Sequence, residues 1–327
     1  MTVSSSSDIT ILIPGKIHPR VLQRLAERFT LVFAEAGDRP AIDAATAASV
    51  RGIAVSVSGG GISAAWIEAL PQLEVIANFG VGYDGVDVKA AAERGIIVTN
   101  TPELLNDEVA DTTIGLLLNT VRQLPQAETY LRQGRWAKEG AFPLSPLSLR
   151  NRHVGLFGLG RIGLEIAKRL EPFKVKISYH TRSQRDDVPY GYFPSLQALA
   201  KSVDTLIAIV PKTPETHKVI DAGILSALGA NGVFINVGRG WSVDEEALIA
   251  ALSAKTIAAA GLDVFYDEPN VSEGLMALAN LNLLPHVASA SVPTRAAMAD
   301  LVVDNIIAWF DTGVPLTPVA ETPVRKR

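Results

Sequence analysis

The sequence predicts an α/β protein built from two doubly wound, parallel-sheet domains. Three observations carry that expectation. Short β-branched runs alternate with helical periods along most of the chain. The strand runs are apolar throughout instead of alternating with polar residues, as in strands buried on both faces. The 327 residues amount to about two domains.

The composition narrows the function classes. Hydrophobic residues are 48% and charged residues 20%, the balance of a folded globular chain. With 34 acidic and 30 basic side chains the formal net charge is −4, which gives no general attraction to nucleic acid or anionic membrane. There are no cysteines, so disulfides, thiolate metal sites and cysteine nucleophiles are excluded, and no metal site is expected. No apolar stretch approaches the roughly 20 residues of a spanning helix. The opening MTVSSSSDIT has no basic flank before an apolar run, so a cytoplasmic protein without a signal peptide is expected.

In the first half, DITILIPG (8–15), LVFAE (31–35), GIAVSVS (52–58), EVIANF (74–79) and GIIVTN (95–100) read as strands. HPRVLQRLAERF (18–29), with Val21, Leu22 and Leu25 on one face, reads as a helix, as do SAAWIEAL (63–70) and VDVKAAAERG (86–95). A long helical stretch over 101–134, interrupted at Pro125, suits a connection between domains. GRWAKEGAFPLSPLSLR (134–150) follows. It is either a surface loop or an arm that buries Trp136 and Phe142 on a second subunit.

From Asn151 the alternation resumes. Strands are expected at 153–158, 175–180, 204–210, 232–237, 258–264 and 281–286, with helices such as SLQALAKS (195–202) and VDEEALIAALSA (243–254) between them. Six strands in this order fit a nucleotide-binding sheet. PTRAAMADLVVDNIIAWFDTG (293–313) reads as a terminal helix that returns to the first domain.

GLGRIG (158–163) places Gly158, Gly160 and Gly163, with Arg161 and Ile162, between the strand HVGLF and a helix on which Ile162, Ile166 and Leu170 recur every four residues. A strand follows within about 30 residues, which is the setting of a dinucleotide-binding turn. There the glycines admit a tight turn and a close backbone approach to pyrophosphate, and the helix N-terminus offers N–H groups to the phosphates. The next strand ends in YHTRSQR, where an NAD enzyme places an acid against the ribose 2′-hydroxyl. Here Thr181, Arg182, Ser183 and Arg185 can instead receive a 2′-phosphate, which points to NADP(H).

Of five histidines, His286 ends the last strand of the second half at its carboxyl end, where ligands of such sheets bind. Arg239 ends INVGRG and Glu268 follows GLDV in FYDEP, at the same end. Alone, each is a common surface residue; three strand ends converging an Arg, a Glu and a His is a different matter.

GLGRIG, INVGRG, GLDVF with EP, and LLPHVAS, in this order, resemble the D-isomer-specific 2-hydroxyacid dehydrogenase family, especially its NADPH-preferring glyoxylate/hydroxypyruvate and hydroxyphenylpyruvate reductases. NFGVGYDGVD (78–87), VTNTPELLNDEVAD (98–111) and MADLVVDNI (298–306) extend the likeness over roughly 50–315. It implies two Rossmann-like domains, a six-stranded dinucleotide-binding domain (102–292) inserted in a smaller flavodoxin-like substrate domain (1–101 and 293–327), with 134–150 as the dimerisation arm of a homodimer. It also implies hydride transfer to a small 2-keto acid, giving the D-hydroxy acid. Arg239 would clamp the carboxylate and ketone oxygen. His286 would donate the proton, and Glu268 would hold its other ring nitrogen and favour the protonated ring. Asp263 would hydrogen-bond the nicotinamide carboxamide, with Val210, Pro211 and Val237 flanking the cofactor. Asp263 could equally cap a loop. Asn106 stands near the cofactor where relatives often carry threonine. Ser58, Gly59, Gly60, Val81 and Gly82, together with Ser289, are candidates for the substrate's remaining contacts. The family also holds dinucleotide-sensing co-repressors, and a phenylpyruvate or 2-ketogluconate reductase is a further alternative.

Overall fold

The computed structural model describes residues 8–56 and 60–324. The chain divides into two compact units, Met1–Leu105 with Ser291–Arg327, and Asn106–Ala290.

The first unit begins with β1 (Thr10–Pro14), α1 (Pro19–Ala26), β2 (Thr30–Ala34), α2 (Ala44–Ser49), β3 (Val50–Ser56), α3 (Ala64–Ala69), β4 (Val75–Phe79), α4 (Val88–Glu93) and β5 (Ile97–Thr99). All neighbours pair in parallel in the order β2-β1-β3-β4-β5, the flavodoxin-like arrangement. Every residue of β1 and β4 is buried, whereas edge strand β2 buries only Leu31 and stays partly wet. Side chains start the helices. Asp43 and Asp87 accept the N–H groups of Thr46 and Ala90, and Pro19 pre-sets the first turn of α1. Trp66, Ile53, Ile62 and Ile76 lie in the core on one side of the sheet. The short α2 was not anticipated, because AATAAS carries no apolar stripe.

The second unit carries α5 (Asn106–Arg122), α6 (Leu124–Arg132), α7 (Arg135–Glu139), β6 (His153–Phe157), α8 (Arg161–Leu170), β7 (Lys176–His180), β8 (Gly191–Tyr192), α9 (Leu196–Ser202), β9 (Thr205–Ala208), α10 (Ala222–Leu228), β10 (Val233–Asn236), α11 (Glu245–Ser253), β11 (Ala259–Leu262), α12 (Glu273–Met276) and β12 (Leu281–Leu283). Its parallel sheet runs β12-β11-β10-β9-β6-β7-β8. Counted from β6, this is the 3-2-1-4-5-6 order of a dinucleotide-binding sheet with one more strand beyond the sixth. The sheet therefore has seven strands where six were expected. The missing one, β8, is a two-residue edge strand paired with Ser178 and Tyr179, too short for any periodicity to reveal. Successive strand residues serve opposite faces. Leu206 and Phe234 pack with α9, α10 and α11, while Ile207, Val233 and Ile235 pack with α5 and α8.

The helical stretch breaks at Gln123 (φ 54°), two residues before Pro125, because proline is accommodated in the first turn of α6. In the segment after it, Trp136 is 62% exposed and Leu144 95%, while Phe142 meets the edge of Tyr130 at 5.4 Å.

The chain returns to the first unit with α13 (Val292–Thr312), started by the Ser291 hydroxyl accepting the Thr294 N–H. Arg20, Arg24 and Arg28 of the α1 region pair with Asp300, Asp304 and Asp311 along it. Among the described residues no helix is long and apolar enough to cross a membrane.

Candidate active site

The glycine loop joins β6 to α8. Gly158 has φ +101°, and a Cβ there would lie 2.4 Å from the Ile209 carbonyl oxygen, so only glycine fits. A Cβ on Gly163 would meet the Gly158 carbonyl oxygen at 2.7 Å, which is the close packing of helix on turn. Gly160 differs: a Cβ there would find no neighbouring atom within 4 Å. The fold does not require glycine at 160; a ligand approaching the backbone would. That cradle, at the N-terminus of a ten-residue helix, fits a pyrophosphate. Arg161 and Ile162 open α8. Val210 and Val237 are buried at the ends of β9 and β10 beside it, Pro211 is exposed, and Asn106 opens α5.

Past β7 the residues read as phosphate ligands separate into two kinds. Arg185 is committed to the protein, binding Asp187 at 2.9 and 2.5 Å and the Leu159 carbonyl at 2.7 Å, so it braces the glycine loop. Arg182 is exposed. Its charge reaches the loop after β9, where Glu215 is held below the usual carboxylate range by its own backbone N–H and by the Thr213 hydroxyl, with Arg182 adding to the effect. Between them the Thr181 hydroxyl donates to the Ser183 carbonyl at 2.6 Å, shaping the turn.

Arg239, Glu268 and His286 follow β10, β11 and β12. The Arg239 backbone carbonyl accepts the Asn236 amide and the Ser242 hydroxyl, and its guanidinium donates to the Gly238 carbonyl at 2.8 Å. Glu268 is held at both oxygens. One accepts the Phe265 N–H at 2.9 Å, and the other lies 2.6 Å from His286 Nδ1. Burial pushes the Glu268 carboxyl up, but the His286 hydrogen bond and charge, the Phe265 N–H and the nearby Arg239 outweigh it, leaving it below its ordinary value. The Arg239 contribution puts all three groups within one electrostatic neighbourhood.

Asp263 is 1% exposed and ends β11. Its two oxygens accept the N–H groups of Val287 and Ala288 at 2.7 and 3.0 Å, so the loop-capping alternative is the one with visible partners. Burial raises its pKa against the pull of those two N–H groups. Ser289 is buried just beyond.

The first unit holds the other substrate candidates. The Asn78 amide donates to the Gly80 and Gly82 carbonyls and the Asn100 amide to that of Val81. In a planar trans peptide the N–H points opposite its C=O, so anchoring the carbonyls of Gly80 and Val81 turns the N–H groups of Val81 and Gly82 the other way. Gly60 has φ +100°, while Ser58 and Gly59 lie outside the described residues.

The other four histidines are engaged elsewhere. His18 caps α1, His153 meets the Ser178 hydroxyl, and His180 meets the Phe193 carbonyl. His217, in the polar loop KTPETHK, packs against Trp241 with ring centroids 4.0 Å apart and meets the Tyr266 hydroxyl at 3.2 Å, with Lys212 over the Trp241 ring. This cluster ties the loops bearing Arg239 and Glu268 to the loop after β9. Its members are far apart in the chain, and no local pattern announced it. Among the described residues no three histidine or carboxylate side chains gather to hold a metal ion.

Residues 114–288 match the model of the D-isomer specific 2-hydroxyacid dehydrogenase, NAD binding domain. The chain is 46% identical over 271 residues to a glyoxylate/hydroxypyruvate reductase A of Arabidopsis thaliana, covering 83% of this chain and 86% of that one. It is also 46% identical to the hydroxyphenylpyruvate reductase of Plectranthus scutellarioides, covering 84% and 86%. A crystal structure of the NADPH-dependent glyoxylate/hydroxypyruvate reductase from Sinorhizobium meliloti, in complex with NADP and malonate, is 62% identical and superposes with a TM-score of 0.92, covering 98% of this chain and 99% of that one.

Proposed function

The chain belongs to the D-isomer specific 2-hydroxyacid dehydrogenase family, and we propose that it reduces a small 2-keto acid of the glyoxylate or hydroxypyruvate type to the D-2-hydroxy acid with NADPH. The observation that carries this reading is the 2.6 Å Glu268–His286 pair beside Arg239, on strand ends of the sheet that bears the glycine cradle. Such a combination is built to protonate an oxygen next to a bound anion.

When bound, the dinucleotide supplies a hydride to the keto carbon. Arg239 grips the substrate carboxylate and the ketone oxygen, since a guanidinium presents paired donors in one plane, and it stabilises the charge that grows on that oxygen. His286 donates a proton from Nε2 to the oxygen, completing the hydroxyl. Glu268 accepts from Nδ1, which fixes the ring and aims Nε2 outward. Its lowered pKa keeps it ionised at neutral pH, so both its oxygens stay acceptors for the Nδ1–H and the Phe265 N–H. The His286 side chain is 40% exposed, which lets solvent restore the proton. Arg182, at a strand end without an acid, supports NADPH over NADH.

Loss of absorbance by NADPH and, separately, NADH against glyoxylate, hydroxypyruvate, hydroxyphenylpyruvate and 2-ketogluconate tests the reading. Turnover of the first two with NADPH is expected. No turnover of any keto acid overturns the reductase reading, and equal or better turnover with NADH overturns the role of Arg182. A cytoplasmic location accords with this chemistry, which needs a pool of reduced dinucleotide. We also propose a homodimer that covers Trp136 and Leu144. Sedimentation should show a dimer that Trp136→Ser with Leu144→Ser converts to monomer; a wild-type monomer overturns this.

A further inference from the structure

His286 adopts φ +53°, a left-handed conformation that costs a residue with a Cβ roughly 1–2 kcal/mol unless its surroundings impose it. Beside the Leu284 carbonyl, which shares the His286 N–H at 3.1 Å, the surroundings of this turn centre on Asp263. The His286 N–H donates to the Asp263 backbone carbonyl at 2.8 Å. The next two N–H groups, of Val287 and Ala288, donate to the two carboxylate oxygens of Asp263 at 2.7 and 3.0 Å. Three consecutive backbone donors thus end on a single aspartate. Asp263 is itself anchored, because its N–H donates to the Asn236 carbonyl of β10. On the far side of the turn the Ala288 carbonyl accepts the Thr112 hydroxyl of α5 at 3.1 Å.

We infer that Asp263 is a positioning residue for His286: its carboxylate folds residues 286–288 into the strained turn that brings the imidazole onto Glu268. A carboxylate is suited to this because both its oxygens accept and neither donates. Its burial leaves those two N–H groups as the partners visible in the structure and makes the exchange of one oxygen for an NH2 costly. The inference deepens the catalytic reading of His286 and rests on it for the kinetic part of its test.

The variant is Asp263→Asn, measured in the full-length protein. Asparagine can accept only one of the two N–H groups and sets a donor against the other. Proton NMR reads the Nδ1–H resonance of His286, which a short hydrogen bond to a carboxylate moves far downfield, and His286→Gln assigns it by its disappearance. In Asp263→Asn this resonance should shift upfield or vanish. With glyoxylate and NADPH, kcat should fall by about 10²-fold, the lower end of what a positioned proton donor contributes. The Kd of NADPH, from its fluorescence, should stay within about threefold, since the uniform binding term is untouched. A resonance that stays in place overturns the inference whatever the kinetics. A Kd that rises with kcat intact at saturating NADPH overturns it too, in favour of direct contact with the cofactor. If Asp263→Asn does not fold, Asp263→Glu keeps two acceptors but displaces them by a methylene, and the same resonance shift is required of it. The NMR result needs no turnover, so a failure of the reductase reading and a failure of this inference are distinguishable.

Discussion

Alanine at each glycine of the 158–163 loop separates what the fold requires from what a ligand requires. At Gly158 the added methyl would sit 2.4 Å from the Ile209 carbonyl oxygen and 3.0 Å from its carbon. Ordinary contact begins near 3.4 Å, so the strand end and the loop must part by about 1 Å, an overpacking that costs roughly 1–3 kcal/mol. Holding a Cβ at φ +101° costs about another 1–3 kcal/mol. At about 2–4 °C per kcal/mol for a domain of this size, Gly158→Ala should lower the Tm of the protein without cofactor by roughly 5–20 °C. At Gly160 the methyl finds no neighbouring atom within 4 Å, and the φ of −75° suits alanine. The only cost is a poorer N-cap, about 1 kcal/mol at most, so the Tm should fall by no more than about 4 °C. NADPH, however, should bind at least tenfold more weakly, about 1.4 kcal/mol, because the methyl occupies the space a pyrophosphate needs. Differential scanning fluorimetry and NADPH fluorescence titration on the two variants decide it. Wild-type affinity in Gly160→Ala, or wild-type Tm in Gly158→Ala, would refute the reasoning.

The other expectations concern single charges and pairs. His286→Gln should lose about 10²–10⁴-fold in kcat while binding NADPH normally; near-normal turnover removes it as proton donor. Arg182→Ala should raise KM for NADPH by about tenfold and leave that for NADH unchanged, as expected for one charge-assisted hydrogen bond; an equal effect on both sinks the 2′-phosphate contact. Asp300 and Asp311 are held below the usual carboxylate range by hydrogen bonds from Arg20 and Arg24, and from Arg28. Their depressed folded pKa means that they stabilise the first unit above the unfolded value of about 4 and lose this as pH falls through the folded value. Asp300→Asn with Asp311→Asn should therefore lower the Tm at pH 7 and flatten its fall below pH 4; parallel curves for the two proteins would contradict the linkage.

Much of this protein was legible one-dimensionally, for a definite reason. Strands buried on both faces must be apolar along their whole length, so β1, β3 and β4, and β6, β9 and β10, stand out at nearly their observed bounds. Glycines that a turn or a ligand demands cannot be exchanged, so the 158–163 loop was visible too. Arg239, Glu268 and His286 were singled out because a strand end is a place that the sequence marks, and the structure sets Glu268 on His286 with Arg239 nearby. What escaped had no period or depended on a neighbour. The edge strand β8 is two residues long, and α2 has no apolar stripe.

The amino-acid sequence by itself determined the two parallel sheets and the glycine cradle, and it singled out the candidate side chains at the strand ends, since these follow from local pattern and chain order. Only the tertiary structure decided how those side chains are shared out. It gave both oxygens of Asp263 to the turn carrying His286, drew Arg185 back onto Asp187 while leaving Arg182 exposed, and packed His217 against Trp241. A hydrogen bond or a ring contact is chosen by distance in space among many chemically equivalent partners, and for residues as far apart in the chain as Asp263 and Val287 or His217 and Trp241 the sequence separation does not give that distance.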